Sequence, residues 1–220
     1  MKYRLAIFDF DGTLADSLPW FRSVFNRVAI RYGFRTLDDA EFEALRGVGN
    51  REIIRRIGVP MWKIPLIASH MKRLMAEDID GIALFDGTAE MLRELKTSGV
   101  RLAVVSSNSE ANIRRVMGPE NAGLIDHYGC GASIFGKGAK FRKALRHSGV
   151  RAHEAICIGD EVRDGEAARS LGIPFGAVAW GYATPELLAS HAPDAMFTSV
   201  GDIVRAVGQA ERRDCRVRRA

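Results

Sequence analysis

Asp9 and Asp11 stand two residues apart at the end of the apolar run that opens the chain, followed by Gly12 and Thr13. In a strand, residues i and i+2 share a face and lie roughly 7 Å apart. Both carboxylates then point one way while Phe10 packs the other. Ser106, Ser107 and Asn108 follow a second apolar run, and Gly159, Asp160, Glu161 and Asp164 follow a third. Lys137 opens a helical pattern ahead of that third run. Carboxylates gathered this closely repel one another unless a cation joins them. Oxygen-only ligands suit a hard ion, Mg²⁺ ahead of Zn²⁺. Mg²⁺ held by few carboxylates commonly takes a substrate phosphate as well. Ser106 would donate to that phosphate and Lys137 would supply a fixed positive charge. Gly12 lets the backbone turn tightly beside it. Taken singly, each residue has an ordinary role. Asp16 and Asp164 suit turns and helix caps, Ser106 to Asn108 suit a polar turn, and Lys137 suits solvent. Only their joint placement at one sheet edge turns the balance toward chemistry.

The elements that must position them alternate. Tyr3 to Phe10, Arg101 to Val105, Ala155 to Ile158 and Pro174 to Ala179 read as buried strands, each followed by a polar or glycine-containing turn and a helical pattern. Short, nearly continuous apolar strands between helices predict an α/β fold: a Rossmann-like, doubly wound parallel sheet covered on both faces. Ligands of such sheets bind beyond the carboxyl ends of the strands, where the polar residues above stand. Residues 16–83 break the alternation. Ser17 is positioned to cap a helix striped by Phe21, Val24, Phe25, Val28 and Tyr32 and ended by Gly33. Asn50 is positioned to cap a short helix bearing Ile53, Ile54 and Ile57, and Ile64 to Met75 form a third stripe. The expectation is a catalytic core of residues 1–15 and 84–220 with an inserted all-helical cap domain of residues 16–83. The cap's methionines and aromatics read as packing.

Asp9-Phe10-Asp11-Gly12-Thr13-Leu14 resembles the DxDGT[LV] signature of the haloacid dehalogenase-like hydrolase superfamily. Val104-Val105-Ser106 resembles that superfamily's second motif, Lys137 its third, and Gly159-Asp160-Glu161-Val162-Arg163-Asp164 its acidic fourth. The resemblance spans nearly the whole chain, and the insert after the first motif resembles the small helical cap of phosphoglycolate phosphatase-like members. It implies that Asp9 attacks phosphorus to form an aspartyl-phosphate. Asp11 then serves first as acid and later as base. It also implies that Thr13, Ser106, Ser107, Asn108 and Lys137 bind the phosphoryl group. Mg²⁺ would be held by Asp9, Asp160 and the backbone carbonyl of Asp11, with Asp164 as a further ligand or an outer anchor. Asp11 favours phosphoryl chemistry over dehalogenation, which needs the nucleophile but not that acid. The chain departs from the pattern at Lys137-Gly138, where many relatives have Lys-Pro, so Lys140 is an alternative to Lys137. Glu161 beside Asp160 is a second carboxylate of unassigned role. In the cap, Arg46-Gly47-Val48-Gly49-Asn50-Arg51 resembles a specificity loop, in which Arg46 and Asn50 would reach a substrate carboxylate or hydroxyl. The alternative is a plain turn with Asn50 as helix cap. Trp20, near the hinge, is a lid contact or a packing residue.

The resemblance implies a Mg²⁺-dependent phosphatase acting on a small phosphorylated metabolite, with phosphoglycolate as the guess carried by the cap. A phosphomutase and a phosphonate hydrolase are alternatives of the same fold; the second needs a Schiff-base lysine, for which Lys63 and Lys72 are candidates. A non-catalytic scaffold is the minor alternative, opposed by the intact set of Asp9, Asp11, Ser106, Lys137 and Asp160. Other chemistries fit less well. Gly131 to Gly138 nearly spells a phosphate-binding G-x-x-x-x-G-K-[ST] loop but lacks the final hydroxyl. Leu14 stands where an EF-hand loop needs glycine. The five histidines form no local ligand pair.

Composition sets the outer bounds. The chain has 220 residues, 47% hydrophobic and 27% charged, as expected of a folded domain rather than a disordered chain. No apolar run reaches membrane-spanning length, and Asp9 and Asp11 interrupt the opening run, so neither a membrane partner nor a signal peptide is expected. Cys130, Cys157 and Cys215 form no paired motif, which fits reduced thiols and a cytoplasmic location. Net charge is +5, but Arg212, Arg213, Arg216, Arg218 and Arg219 concentrate it in the tail. A frayed basic tail, and no specific nucleic-acid binding, is the expectation. The sequence carries no sign of oligomeric state.

Overall fold

The computed structural model describes residues 2–131 and 136–208. The middle of the Gly131 to Gly138 stretch, Cys215 and the basic tail lie outside the described residues.

Six strands form one sheet in the order β3-β2-β1-β4-β5-β6, and every pairing is parallel. They are β1 (Leu5–Phe8), β2 (Arg101–Val104), β3 (His127–Tyr128), β4 (Ala155–Gly159), β5 (Phe175–Val178) and β6 (Ala195–Phe197). The direction of winding reverses at β1, which pairs β2 on one side and β4 on the other. That reversal leaves a crevice at the carboxyl ends of β1 and β4. The four expected strands are all present. β3 and β6 are additional, and too short to show a period in the sequence.

Alternation along β1 explains the two-faced core. Ala6 and Phe8 pack with Leu92 and Leu95 of α5 (Thr88–Thr97) and Ile203 and Val207 of α10 (Val200–Gly208). Leu5 and Ile7 pack the other way, with Phe141 of α7 (Lys137–Ser148), Ala168 of α8 (Val162–Arg169) and Leu188 of α9 (Pro185–Ser190). The helix between β2 and β3, α6 (Glu110–Gly123), kinks where Gly118 adopts φ 71° ahead of Pro119.

Four helices lie between β1 and α5. They are α1 (Leu18–Tyr32), α2 (Asp39–Arg46), α3 (Asn50–Ile57) and α4 (Ile64–Glu77). They have their own small cluster of Phe25, Ala29, Leu37, Leu45 and Ile57. The two chain connections to the sheet run side by side: Asp16 N–H donates to Ala83 at 2.9 Å and Phe85 N–H donates to Leu14 at 3.0 Å. Helix ends depart from expectation twice. The Ser17 side chain makes no capping bond to α1 and meets the Tyr182 hydroxyl at 3.1 Å instead. Gly49, not Asn50, caps α3, so the Asn50 amide is free to act elsewhere. Asp38 and Glu41 form a full capping box on α2, a signal present in the sequence. Among the described residues no helix is long and apolar enough to cross a membrane.

Candidate active site

β1 ends at Phe8, and the next turn brings Asp9 and Asp11 over the crevice. Thr13, Leu14 and Ala15 amides all donate back to the Phe10 carbonyl, which closes that turn tightly. Gly12 adopts φ 75°, and a Cβ there would meet the Asp160 carboxylate at 2.3 Å. Glycine is therefore required by conformation and by space at once.

Asp9, Asp160 and Asp164 are buried and each offers an oxygen within 4.8 Å of the others. The Lys137 ammonium donates to Asp9 Oδ2 at 2.5 Å and also to Asp164 Oδ1. Lys140 reaches the Cys130 carbonyl at 3.1 Å instead, so Lys137 is the lysine of the crevice. Asp160 accepts from the Thr13 hydroxyl at 2.7 Å and from the Tyr182 amide at 2.8 Å. Thr13 is thus spent on Asp160 rather than facing the crevice as a phosphate donor. Asp164 Oδ2 accepts from the Glu161 amide at 3.2 Å. The Asp11 carboxylate stands apart from the buried trio and accepts from Asn108 Nδ2 at 3.2 Å. Ser106 is buried at the end of β2, and its hydroxyl accepts from the Asn108 amide at 3.1 Å. Ser107 is half-buried and lines the adjoining cavity with Asp11 and Asn108.

The electrostatics follow from crowding. Burial, and then the Glu161, Asp9 and Asp164 charges, hold the Asp160 carboxyl well above the usual carboxylate range. Burial likewise raises Asp164 to about 6, with Lys137 working against it. Burial opposes the charge on Lys137, yet Asp164 and Asp9 more than offset this and hold it above an ordinary lysine. Burial and the neighbouring Asp9 raise Asp11 to about 6. Three buried carboxylates against one ammonium leave an excess of negative charge. Hard oxygen donors, short of positive charge, fit a divalent cation such as Mg²⁺.

The two cap residues singled out in the sequence turn toward the sheet domain. Arg46 donates from Nε to the Tyr182 carbonyl at 3.1 Å, from Nη2 to the Gly181 carbonyl at 3.0 Å, and from Nη1 to Glu43 at 2.8 Å. Asn50 Nδ2 donates to Glu161 Oε1 at 2.6 Å, and Glu161 also pairs with Arg163. Trp20 donates to Asp78 at 3.0 Å within the inserted helices. Of the two cap lysines, Lys63 is held by the Tyr32 carbonyl at 2.7 Å, whereas Lys72 lines the cavity.

Sequence reasoning missed Tyr182. Its amide holds Asp160, its carbonyl holds Arg46, its hydroxyl meets Ser17, and its ring lies edge-on to Phe21 at 5.6 Å. Nothing in the residues around it flags this position. The one local hint is Gly181, where a Cβ would stand 2.1 Å from Asp160.

Comparison with known proteins agrees with this geometry. The model of the haloacid dehalogenase-like hydrolase family matches residues 6–178. A phosphoglycolate phosphatase of Synechococcus elongatus is 31% identical over 207 residues, covering 94% of this chain and 98% of its own. A haloacid dehalogenase-like hydrolase from Streptococcus pneumoniae superposes with a TM-score of 0.76 at 21% identity, covering 93% and 98% of the two chains. CbbY from Rhodobacter sphaeroides, solved in complex with phosphate, gives a TM-score of 0.67 at 26% identity over 91% and 96%. The crevice, the sheet order and these likenesses agree: the chain belongs to the haloacid dehalogenase-like hydrolase family, as a phosphatase that resembles the phosphoglycolate phosphatases.

Proposed function

We propose that the chain hydrolyses a small phosphate monoester with the help of Mg²⁺, through an aspartyl-phosphate on Asp9. The observation that carries this reading is the pairing of Lys137 with Asp9 and Asp164 beside Asp160. Asp9, Asp160 and Asp164 would hold the ion, which when bound supplies charge neutralisation for the phosphoryl oxygens. An Asp9 oxygen attacks phosphorus, and the bond to the ester oxygen breaks. The departing oxygen takes the proton of Asp11, a group whose pKa near 6 leaves it able to give and regain a proton at neutral pH. Asp11, now a carboxylate, takes a proton from the water that attacks the acyl-phosphate. Phosphate leaves and the Asp9 carboxylate is restored. Lys137 and Ser106 balance the charge of the transferring group. Asn108 orients the Asp11 carboxylate. Residues 16–83 act as a cap, whose Arg46 and Asn50 close it on the catalytic core rather than touching substrate. Phosphoglycolate, the substrate in the names of relatives, is one member of the class and a necessary comparison compound.

The test is phosphate release from an aryl phosphate with Mg²⁺ or with EDTA, for the wild type and Asp9→Asn. Turnover should need both metal and Asp9, with a loss of ~10³-fold or more in the variant. Metal-independent turnover surviving Asp9→Asn would overturn the proposal.

A further inference from the structure

A cavity of about 820 Å³ opens from the catalytic crevice into the inserted helices. Asp11, Ser107 and Asn108 line it where it meets the crevice, and α1–α4 form most of the remaining wall. That wall is apolar: Phe21, Phe42, Val48, Ile54, Ile67 and Met71 all face the space and are only half-buried. Phe21, Phe42 and Val48 also pack against the small cluster around Phe25 and Leu45, whereas Ile54, Ile67 and Met71 lie outside it.

Two of the three cations of the lining are already committed. Arg46 is held by Glu43 and two backbone carbonyls, and Arg163 is paired with Glu161, which also accepts from Asn50. Among the described residues, Lys72 is the one lining cation without an acidic partner. A two-carbon phosphorylated acid would fill a small part of this space. Its carboxylate would lose water against mostly hydrocarbon walls, with Lys72 the one uncommitted cation to meet it. An apolar body would instead cover the half-buried side chains and gain by leaving water. Cavities of this size and lining are typical of sites for larger organic molecules.

Resting on the phosphatase reading above, we infer that the alcohol of the substrate carries an extended apolar body, alkyl or aryl, which lies among α1–α4 while its phosphate lies at Asp9. The phosphate end supplies the chemistry and the hydrocarbon end supplies the selection. Specificity then comes from the length and shape of a hydrocarbon rather than from a second anionic group.

The experiment is a substrate series with the wild-type protein and Mg²⁺: phosphoglycolate, glycerol phosphate, the n-alkyl phosphates from ethyl to decyl, and 1-naphthyl phosphate. The expected result is a kcat/KM that climbs with chain length until the cavity is filled. The ceiling is ~4-fold per methylene, the equivalent of ~0.8 kcal/mol. A gain of about tenfold or more from butyl to octyl phosphate supports the inference. A flat or falling series, or a preference for phosphoglycolate over octyl phosphate, overturns it. Calorimetric binding of the matching alkylphosphonates, which cannot turn over, separates the two proposals. If no ester is hydrolysed but phosphonate affinity still rises with length, the hydrolytic reading fails and the cavity assignment stands. Affinity independent of length sinks the cavity assignment whatever the turnover.

Discussion

Asp9 and Asp11 are near neighbours in sequence with different surroundings. Lys137 contacts Asp9, while Asn108 donates to the Asp11 carboxylate at 3.2–3.4 Å. Burial and the Asp9 charge raise Asp11 from 3.8 to about 6. A carboxyl whose folded pKa exceeds its unfolded value favours the folded state when protonated. That favourable share is complete below about 3.8 and declines as pH rises through 6. The metal-free wild type should therefore lose stability relative to Asp11→Asn between pH 4 and pH 7.5. The difference should be on the order of 1 kcal/mol, since Asp11 is partly exposed. Denaturant midpoints of both proteins at the two pH values measure it, and parallel profiles would remove the assigned cause. The residue types of this candidate site were legible because the proposed chemistry asks for Asp9, Asp11, Lys137 and Asp160 at these spacings. Thr13, Arg46 and Asn50 were legible as polar residues but not by partner. Their donors reach Asp160, the Tyr182 and Gly181 carbonyls and Glu161, which only the folded chain brings near.

Strands β1, β2, β4 and β5 were legible because each is buried on both sides and reads as an unbroken apolar run. β3 and β6 hold two and three residues with exposed or half-buried positions, so neither apolar run nor alternation marks them. The turn after β5 belongs to the site as much as those after β1 and β4. Gly181 there faces Asp160 so closely that a Cβ would lie 2.1 Å from the aspartate's own Cβ. Gly181→Ala should push Asp160 off the Tyr182 amide at a folding cost of about 1–3 kcal/mol. Its diagnostic effect is on metal: Mg²⁺ should raise the Tm of the wild type and do so far less for Gly181→Ala. A variant with the full Mg²⁺-dependent rise would show that this turn does not position Asp160.

At the scale of the whole molecule, the inserted helices join the sheet through two adjacent runs of chain near Ala15 and Leu84. The loss of strand alternation after β1 made the inserted helices legible, whereas their contacts with the sheet and its turns were not. Arg46 bridges two carbonyls with its planar fork, and Asn50 reaches Glu161. A lysine at position 46 keeps the charge but cannot span both carbonyls. Arg46→Lys should weaken closure by about 1–2 kcal/mol. Hydrogen exchange of α2 and α3 should quicken while α5 and α7 keep their protection. Equal loss in all four helices would mean that Arg46 serves global stability instead.

The pairing of β1 also governs when the protein can first exist. Leu5 to Phe8 are made well before one of their two neighbours, Ala155 to Ile158. Until Ala155 to Ile158 have emerged from the ribosome, the strand that carries Asp9 has an open edge. An apolar parallel strand in that condition pairs slowly, because closing so long a loop costs entropy before any contact repays it. It is also a template for association with other nascent chains. The same placement that puts Asp9 at the centre of the finished sheet makes it late to be sheltered during synthesis.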